Sequence, residues 1–424
     1  MGAFVIILGV VLMVIIHEAG HFVAAKAFGM KATEAFFGFG PRIWSMTRGE
    51  TEYGVKAVPL GGYVRIIGMN PFEEVAPEDE GRTYREAPFW QKSIVVLAGI
   101  FSHFVVATAL FFALAMVYGV AEVTTEVDGV STILVNPSEV ADDDRVVLDL
   151  ESGDTIVAID GVAVEAVIAV EQKAPGELTT VTVDRDGVLI TLETTEVVEL
   201  APAFASGILV GDVLVSANGQ PVESWEDFVD VASVNPGESA IIVVDRDGEQ
   251  VVLETQFTAR IVDGEATGFF GISPLGVVES VGPIAAAGTA FSNLWTAIGL
   301  SVRGLWDLVT NFGDLLGAAF GQDDEVLETV RPISPVGLVR IAGPVEVSLG
   351  LLALVNVFVG VLNFVPLYPL DGGHFAVAVY EKIRGRAPDV RKLMPVAAAV
   401  FLFIVMLGLL GIYFDIANPL QLPE

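Results

Sequence analysis

Four long stretches of this chain are almost free of charged residues, and this pattern constrains the fold more than any other feature of the sequence. Segments 94–120, 347–370 and 393–414 contain no Asp, Glu, Lys or Arg, and segment 3–25 contains only Glu18. At a rise of about 1.5 Å per residue, each can cross a bilayer core of about 30 Å as a helix. The sequence therefore predicts a membrane protein with four transmembrane helices.

The first apolar segment is interpreted as a retained membrane anchor. No basic residue precedes it, and its polar residues HEAGH at 17–21 stand where a signal peptide would be cleaved. The whole chain, with 53% hydrophobic residues and a mean hydropathy of +0.64, has the composition of an integral membrane protein.

The negative charge of the chain is concentrated between the second and third apolar segments. Nearly all of the net charge of −32 comes from residues 120–347, which hold 39 Asp and Glu but only 8 Lys and Arg. Such an acidic region argues against binding nucleic acid or anionic lipid. The absence of cysteine from the sequence excludes thiol catalysis, cysteine-bound zinc and disulfides.

The positions of the basic residues predict the topology. Loop 29–93 holds eight Lys and Arg, and loop 371–392 holds five. By the positive-inside rule both loops are cytoplasmic, and the acidic region and both termini lie outside. Residues 17–21 and Asp371 are then expected at the same membrane depth, near the cytoplasmic face.

A fifth uncharged stretch, 280–302, leaves an alternative open, because a fifth span would put Asp371 on the opposite side of the membrane. Its large apolar residues recur with helical periodicity on one face, and polar residues occupy the other. This pattern favours an amphipathic helix that lies in the interface or against other protein. Region 280–346 is therefore predicted to be amphipathic and interfacial.

The acidic region contains an internal repeat. The sequence DRDGVLITLET at 184–194 recurs as DRDGEQVVLET at 245–255, and SGDTIVAIDG at 152–161 recurs as VGDVLVSANG at 210–219. In both copies Gly-Asp precedes a strand, and Asp-Gly or Asn-Gly marks the following turn. The repeat predicts two small β-rich domains.

These domains are assigned to residues 124–198 and 199–262 and are expected outside the cytoplasm. Their order of motifs resembles that of PDZ domains, which bind extended peptides along an exposed strand edge. The first copy has the more degenerate motif. The alternative is a pair of β modules that only space or shield the membrane part.

The polar motif of the first segment suits a metal site. On a helix His17 and His21 project from one face, and two imidazoles at this spacing can hold one zinc ion. Zinc lowers the pKa of a coordinated water towards ~7, and the adjacent Glu18 can take its proton. A catalytic zinc usually has three protein ligands, and Asp371 is the best further candidate by depth and by type.

Without a metal these residues would be hard to explain, because ionisable groups within a membrane helix are costly and rarely kept. Two other histidines receive a less specific interpretation. Each could donate a hydrogen bond to a metal ligand, but the interpretation favoured is that His103 faces the interior of the helix bundle and His374 lies in interfacial water.

Four motifs resemble those of the site-2 protease family of intramembrane zinc metalloproteases. They are HEAGH at 17–21, FGFGP at 37–41, PLGGYV at 59–64 and NFVPLYPLDGG at 363–373. With its PDZ-like insertion, the chain is similar to the bacterial regulator-of-sigma-E protease branch. Two positions depart from the family pattern: AGIFSH at 98–103 replaces the usual AGPxxN, and Tyr368 replaces a common proline.

The resemblance implies a multi-pass α-helical membrane protein with four transmembrane helices, a membrane-associated β-hairpin or sheet and two extracytoplasmic PDZ-like α+β domains. Residues 1–120 would form the N-terminal half of the membrane domain, with a cytoplasmic β-loop at 34–69 between its two spans. Residues 347–424 would form the C-terminal half. The expected location is the inner, cytoplasmic membrane of the cell.

The resemblance also implies roles for individual residues. His17, His21 and Asp371 would bind Zn²⁺. Glu18 would be the catalytic base, and Asn363 would position the substrate or the developing oxyanion.

The β-loop is given a role in substrate binding by the same resemblance. Its strand edge would pair with a substrate helix that has been unwound, because a helix hides its peptide bonds in its own hydrogen bonds. The substrate-binding positions implied are Gly38, Gly40, Gly61 and Gly62. The alternative is a cytoplasmic hairpin without such a role.

The function implied is that of an intramembrane zinc metalloendopeptidase. Its substrates would be single-pass membrane proteins such as anti-sigma factors or remnant signal peptides, and the PDZ-like domains could take peptide termini. The alternatives from other classes are a non-catalytic membrane-anchored PDZ scaffold and a metal-binding transporter. Neither needs the complete set of His17, Glu18, His21 and Asp371.

Overall fold

The structure is a computed structural model that describes residues 1–70, 73–136, 146–151, 154–164, 177–185, 187–262, 265–320 and 326–417. The chain divides into two compact units. One is made of Met1–Val120 with Ser280–Glu424, and the other is Ala121–Glu279.

The helices and strands are numbered in chain order. The described helices are α1 (Gly2–Ala27), α2 (Phe89–Tyr118), α3 (Pro202–Ser206), α4 (Trp225–Ser233), α5 (Pro283–Thr310), α6 (Phe312–Ala319), α7 (Val326–Thr329), α8 (Pro335–Arg340), α9 (Val345–Phe364), α10 (Asp371–Arg384) and α11 (Met394–Ala417). The described strands are β1 (Ala32–Arg48), β2 (Thr51–Ile66), β3 (Val120–Val130), β4 (Ile133–Asn136), β5 (Thr155–Ile159), β6 (Val162–Ala163), β7 (Thr179–Arg185), β8 (Val188–Thr194), β9 (Val197–Leu200), β10 (Val213–Ala217), β11 (Gln220–Pro221), β12 (Ser239–Arg246), β13 (Glu249–Gln256), β14 (Thr258–Val262), β15 (Glu265–Phe269) and β16 (Ile272–Glu279).

All four apolar segments of the sequence form helices. Among the described residues, α1, α2, α9 and α11 are the helices that are long and apolar enough to cross a membrane. This agrees with the predicted membrane protein, and the β-rich units between α2 and α9 agree with the predicted sheet domains.

Small residues let α1, α2 and α9 pack closely. A Cβ on Gly20 of α1 would lie 2.6 Å from the carbonyl oxygen of Ala98 in α2, and one on Gly360 of α9 would lie 3.1 Å from the ring of Phe104 in α2. Close approach of this kind is typical of helices in lipid, where apolar burial alone gives little driving force. These helices form the bundle that surrounds the polar residues of α1.

Helix α5 packs on this bundle through the face that carries its smaller side chains. Ala290, Leu294 and Ala297 are buried in one cluster with residues of α2 and α9. Of the apolar stripe seen in the sequence, Phe291 and Trp295 instead remain 58% exposed each. The helical character predicted for region 280–346 is therefore present, and the face turned to the bundle is the one with the smaller residues.

The predicted β-loop at 34–69 is a sheet formed by β1 and β2. Residues 34–37 of β1 pair with residues 62–65 of β2 on one side and with residues 52–55 on the other. In the register of the described residues, no further strand pairs with the outer side of 62–65. This segment is consequently an open edge of the sheet.

The two copies of the internal repeat have the same order of strands. The first forms the sheet β6-β5-β7-β8, and the second places β11, β10, β12 and β13 in the equivalent order within a larger sheet. In the first copy Arg185 donates from Nε and Nη2 to the two carboxylate oxygens of Asp154, both at 2.7 Å. Arg246 binds Asp212 in the same way, again at 2.7 Å. The repeated Gly-Asp and DRDG motifs therefore encode a bidentate ion pair.

The outer bounds of the two copies differ from the prediction. Strand β3 lies in the sheet of the second copy, between β10 and β16, and Val127 is buried in that core. Residues 124–130 were predicted to belong to the first copy at 124–198, but they pair with the second. The sheet of the second copy also extends past residue 262 to β16. Pairing between strands so distant in sequence leaves no trace in a local repeat, which is why the sequence did not assign β3 and β16 to the second copy.

Candidate metal centre

Three side chains from the two ends of the membrane unit meet at one point. His17 Nε2 and His21 Nε2 each lie 3.3 Å from Oδ2 of Asp371. The two Nε2 atoms lie 3.2 Å from each other. His17 and His21 come from α1, whereas Asp371 is the first residue of α10.

The donor atoms fit a zinc ion. Ligands about 2.05 Å from a tetrahedral zinc ion are about 3.3 Å from one another, which matches the three observed separations. Oδ2 of Asp371 is also buried without a hydrogen-bond donor among the described residues. A cation between these atoms would satisfy all three lone pairs.

Helix α2 fixes the orientation of His21. Nδ1 of His21 lies 2.8 Å from the carbonyl oxygen of Val95, and because a carbonyl oxygen only accepts, this nitrogen carries the proton. Nε2 is then left with a lone pair for a metal. A Cβ on Gly99 would lie 2.2 Å from Nε2 of His21, so α2 has space for the ring only where it carries a glycine.

The turn after α9 places Asp371. A Cβ on Gly372 would lie 2.4 Å from the carbonyl oxygens of Phe364 and Val365, so the start of α10 folds tightly back on the end of α9. The hydroxyl of Tyr368 in this turn lies 3.2 Å from Nδ1 of His374 in α10. This turn brings the DGG motif at 371–373 next to α1.

Glu18 lies next to the open edge of the β1–β2 sheet. A Cβ on Gly62 would lie 3.1 Å from Cγ of Glu18, and the backbone of Val64 is within hydrogen-bonding reach of its carboxylate. The edge segment 62–65 therefore runs directly past this carboxylate.

The other predicted site residues lie in less informative positions. Gly38 and Gly61 have positive φ angles of 88° and 125° within the sheet, and a Cβ on Gly38 would lie 2.9 Å from the carbonyl oxygens of Lys56 and Val58. Gly40 has a positive φ of 80° in β1. Asn363 is partly exposed near the end of α9. Of the four predicted glycines, Gly62 is the one whose added Cβ would contact Glu18.

Two residues of the site were missed or underestimated from the sequence. Gly99 was not recognised, although it is the second residue of the AGIFSH motif. His103 was interpreted as a residue of the bundle interior, and it is buried there, but its ring centroid lies only 4.8 Å from that of His17.

Charged residues tie the sheet to the end of α1. Arg82 donates to both carboxylate oxygens of Glu50 at 2.9 Å, and Lys26 of α1 donates to the same carboxylate. The hydrogen bonds from Arg82 and Lys26 lower the pKa of Glu50 to about 2. The turn between β1 and β2 is thereby held next to α1 at neutral pH.

Comparison with known proteins covers nearly the whole chain. The model of Peptidase family M50 matches residues 4–407. The chain is 30% identical over 444 residues to the zinc metalloprotease Rip1 of Mycobacterium tuberculosis, and the alignment covers 98% of this chain and 97% of that protein. It is 27% identical over 431 residues to the regulator of sigma-E protease RseP of Escherichia coli, with 91% of each chain covered.

Proposed function

The chain belongs to peptidase family M50, and on that basis we propose that it hydrolyses peptide bonds within or near the transmembrane segments of membrane proteins. The membership confirms the family resemblance, the zinc metalloprotease class and zinc as the cofactor. It sets aside the non-catalytic scaffold and the transporter as functions of the chain.

One observation carries the proposal. The three donor atoms of His17, His21 and Asp371 converge between helices that are apolar enough to cross a membrane. Polar groups at such a position are costly unless a partner compensates them, and a zinc ion held there would act on peptide bonds at membrane depth. A site of this kind suits a membrane-embedded substrate better than a soluble one.

Each residue of the centre has a distinct proposed role. His17, His21 and Asp371 hold the zinc ion, which supplies a polarising charge and lowers the pKa of water. Glu18 takes the proton of the attacking water and passes it to the amine that leaves. Asn363 is proposed, from the family resemblance, to orient the scissile carbonyl.

The open sheet edge is proposed to hold the substrate in extended form. The backbone of residues 62–65 has no strand partner on its outer side among the described residues, and it passes Glu18. An unwound substrate segment paired with this edge would present its peptide bonds to the centre. Extension is needed because a helical segment protects those bonds.

The substrate class and the orientation in the membrane are proposed together. Single-pass membrane proteins, such as anti-sigma factors and remnant signal peptides, fit the family and a relative named as a regulator of sigma-E protease. The positive-inside rule puts the metal centre near the cytoplasmic face and the repeat region outside. The two repeat copies are proposed to be PDZ-like domains that bind peptide termini and restrict access.

The function is tested with purified full-length protein, a model transmembrane substrate and elemental analysis of zinc. We expect Glu18→Gln to keep zinc and lose cleavage, because the amide cannot accept the proton of water. His17→Ala and His21→Ala should lose both zinc and cleavage. Asp371→Asn should weaken zinc binding less than either.

The matched control is Glu78→Gln, which makes the same change at an exposed position in the short 3-10 helix Pro77–Asp79 and should alter neither property. Full cleavage by Glu18→Gln, or wild-type zinc content in a His17→Ala/His21→Ala double variant, would contradict the proposal.

A further inference from the structure

The two histidines of the metal centre differ in what holds their rings. Nδ1 of His21 donates to the carbonyl oxygen of Val95, but Nδ1 of His17 is buried and has no hydrogen-bond partner among the described residues. Because Nε2 of His17 faces Asp371 and the metal position, the proton of the neutral ring belongs on Nδ1. Metal-binding histidines almost always donate this second N–H to an acceptor, which fixes the orientation of the ring.

His103 is the polar group that lies against His17. Its ring centroid is 4.8 Å from that of His17, the two ring planes make an angle of 35°, and the residue is 2% exposed. Two imidazoles joined by an N–H···N bond of about 2.9 Å have centroids about 5 Å apart, which matches the separation of these two rings. His103 follows Gly99 by one helical turn, on the face of α2 that also holds His21.

The proton of His103 is positioned by Asn356 of α9. Nδ2 of Asn356 donates to the carbonyl oxygen of Leu352 at 2.8 Å, which turns its Oδ1 towards His103. Nδ1 of His103 lies 3.3 Å from this Oδ1, and since an amide oxygen only accepts, that nitrogen carries the proton. Nε2 of the neutral ring then has a lone pair, and it too is buried without a partner among the described residues.

A donor and an acceptor, each without a partner in the part of the chain that the structure describes, thus lie on two neighbouring rings. We propose that His103 is a positioning residue that accepts the Nδ1 proton of His17 at its own Nε2. Asn356 keeps His103 in the tautomer that can accept. The inference rests on the zinc ligands proposed above, and it assigns α2 the support of both histidine ligands, through Val95 for His21 and through His103 for His17.

The proposal is tested by zinc affinity, measured by competition with a chelator in the full-length protein. His103→Phe fills the same space without an acceptor, and it should weaken zinc binding about 10- to 100-fold. His103→Gln keeps an acceptor at a similar distance and should stay within about threefold of the wild type. Thr108→Val removes a hydroxyl from the same helix, away from the centre, and should leave the affinity unchanged.

A second readout separates positioning from packing. In protein loaded with Co²⁺, the visible spectrum should change for His103→Phe and not for His103→Gln, because only the former frees the ring of His17. Wild-type zinc affinity in His103→Phe, or an equal loss in the Phe and Gln variants, would overturn the proposal. If His103→Phe does not fold, Asn356→Leu should lower the affinity severalfold, and wild-type affinity there would overturn it equally. An error in the proposed ligands themselves would show in a different measurement: His17→Ala would then retain zinc.

Discussion

Gly99 of α2 lies directly against His21 of α1, and the absence of a side chain at Gly99 is what admits the imidazole. The same face of α2 carries the Val95 carbonyl that binds His21 and, one turn beyond Gly99, the ring of His103. Although α2 supplies no proposed ligand, it determines where the ligands of α1 point.

Gly99→Ala is expected to impair the metal centre. The new Cβ would lie 2.2 Å from Nε2 of His21, so the ring must turn and lose its hydrogen bond to Val95. We expect zinc affinity to fall at least about tenfold, as for the loss of other groups that orient a metal ligand. Chelator competition in purified protein measures this.

Gly408→Ala is the control for that change. Gly408 is in α11, a helix long and apolar enough to cross a membrane, but a Cβ there meets no atom of the described residues within 4 Å. Since alanine favours helix by about 1 kcal/mol over glycine, the control should retain both zinc and stability. Equal zinc affinity in Gly99→Ala and Gly408→Ala would refute the role given to Gly99.

Gly62→Ala is expected to separate catalysis from metal binding. Its Cβ would lie 3.1 Å from Cγ of Glu18 and 3.2 Å from both the carbonyl oxygen of Phe36 and Cγ1 of Val14. Because the sheet and α1 confine this space, Glu18 must shift by a few tenths of an ångström. We expect cleavage to fall about tenfold or more with unchanged zinc content.

Gly288→Ala, where a Cβ meets nothing within 4 Å, should cleave the same substrate at the wild-type rate. If Gly62→Ala cleaves as fast as this control, the edge of β2 does not position Glu18. If Gly62→Ala also loses zinc, the substitution disrupts the whole metal centre and not only the position of Glu18.

The sequence predicted those parts of the molecule that depend on local pattern. Charge-free length predicted α1, α2, α9 and α11, and the family resemblance carried by the FGFGP and PLGGYV motifs implied the sheet at 34–69. The depth argument that paired residues 17–21 with Asp371 came from charge counts alone. These features are encoded within one segment or in the sum of charges around it.

The parts that could not be predicted depend on contacts between distant segments. Gly99 matters only because His21 packs on it, and β3 joins the sheet of the second repeat copy only because β10 and β16 leave a place between them. The periodicity of α5 showed two faces, but the choice of the face with Ala290 and Ala297 depends on the small residues of α2 and α9 opposite. No local pattern carries such complementarity.

The position of α5 in the membrane can be tested by cysteine labelling, because the sequence contains no cysteine. Glu279→Cys and Asn311→Cys flank this helix. If α5 does not cross, both should react with a membrane-impermeant reagent from the outer side, and Glu80→Cys in the basic loop should react only from the cytoplasmic side. Reaction of positions 279 and 311 from opposite sides would show a fifth span.

The ion pair of the second repeat copy predicts a dependence of stability on pH. Burial of Asp212 opposes its ionisation, but hydrogen bonds from Arg246 and from the backbone N–H of Leu209 prevail and lower its pKa. An Asp in the unfolded chain has a pKa of about 3.9, so the unfolded state binds the proton more readily. The stabilisation is therefore fully present above about pH 4 and is lost as the pH falls through the lower pKa of the folded state.

Arg246→Met should expose this dependence. At pH 7 it leaves the carboxylate of Asp212, whose side chain is 1% exposed, without its cation, and we expect a loss of about 2 kcal/mol in the free energy of unfolding of this copy. The difference from the wild type should shrink as the pH falls below about 4 towards the lowered pKa of Asp212 in the folded wild type. Hydrogen exchange of β10 and β12 in the full-length protein measures this difference.

Arg185→Met, which removes the equivalent arginine of the first copy, is the control. It should increase exchange in β5 and β7 and leave exchange in β10 unchanged. A loss in Arg246→Met that is the same at pH 7 and pH 3.5 would show that the charge of Asp212 does not stabilise the fold.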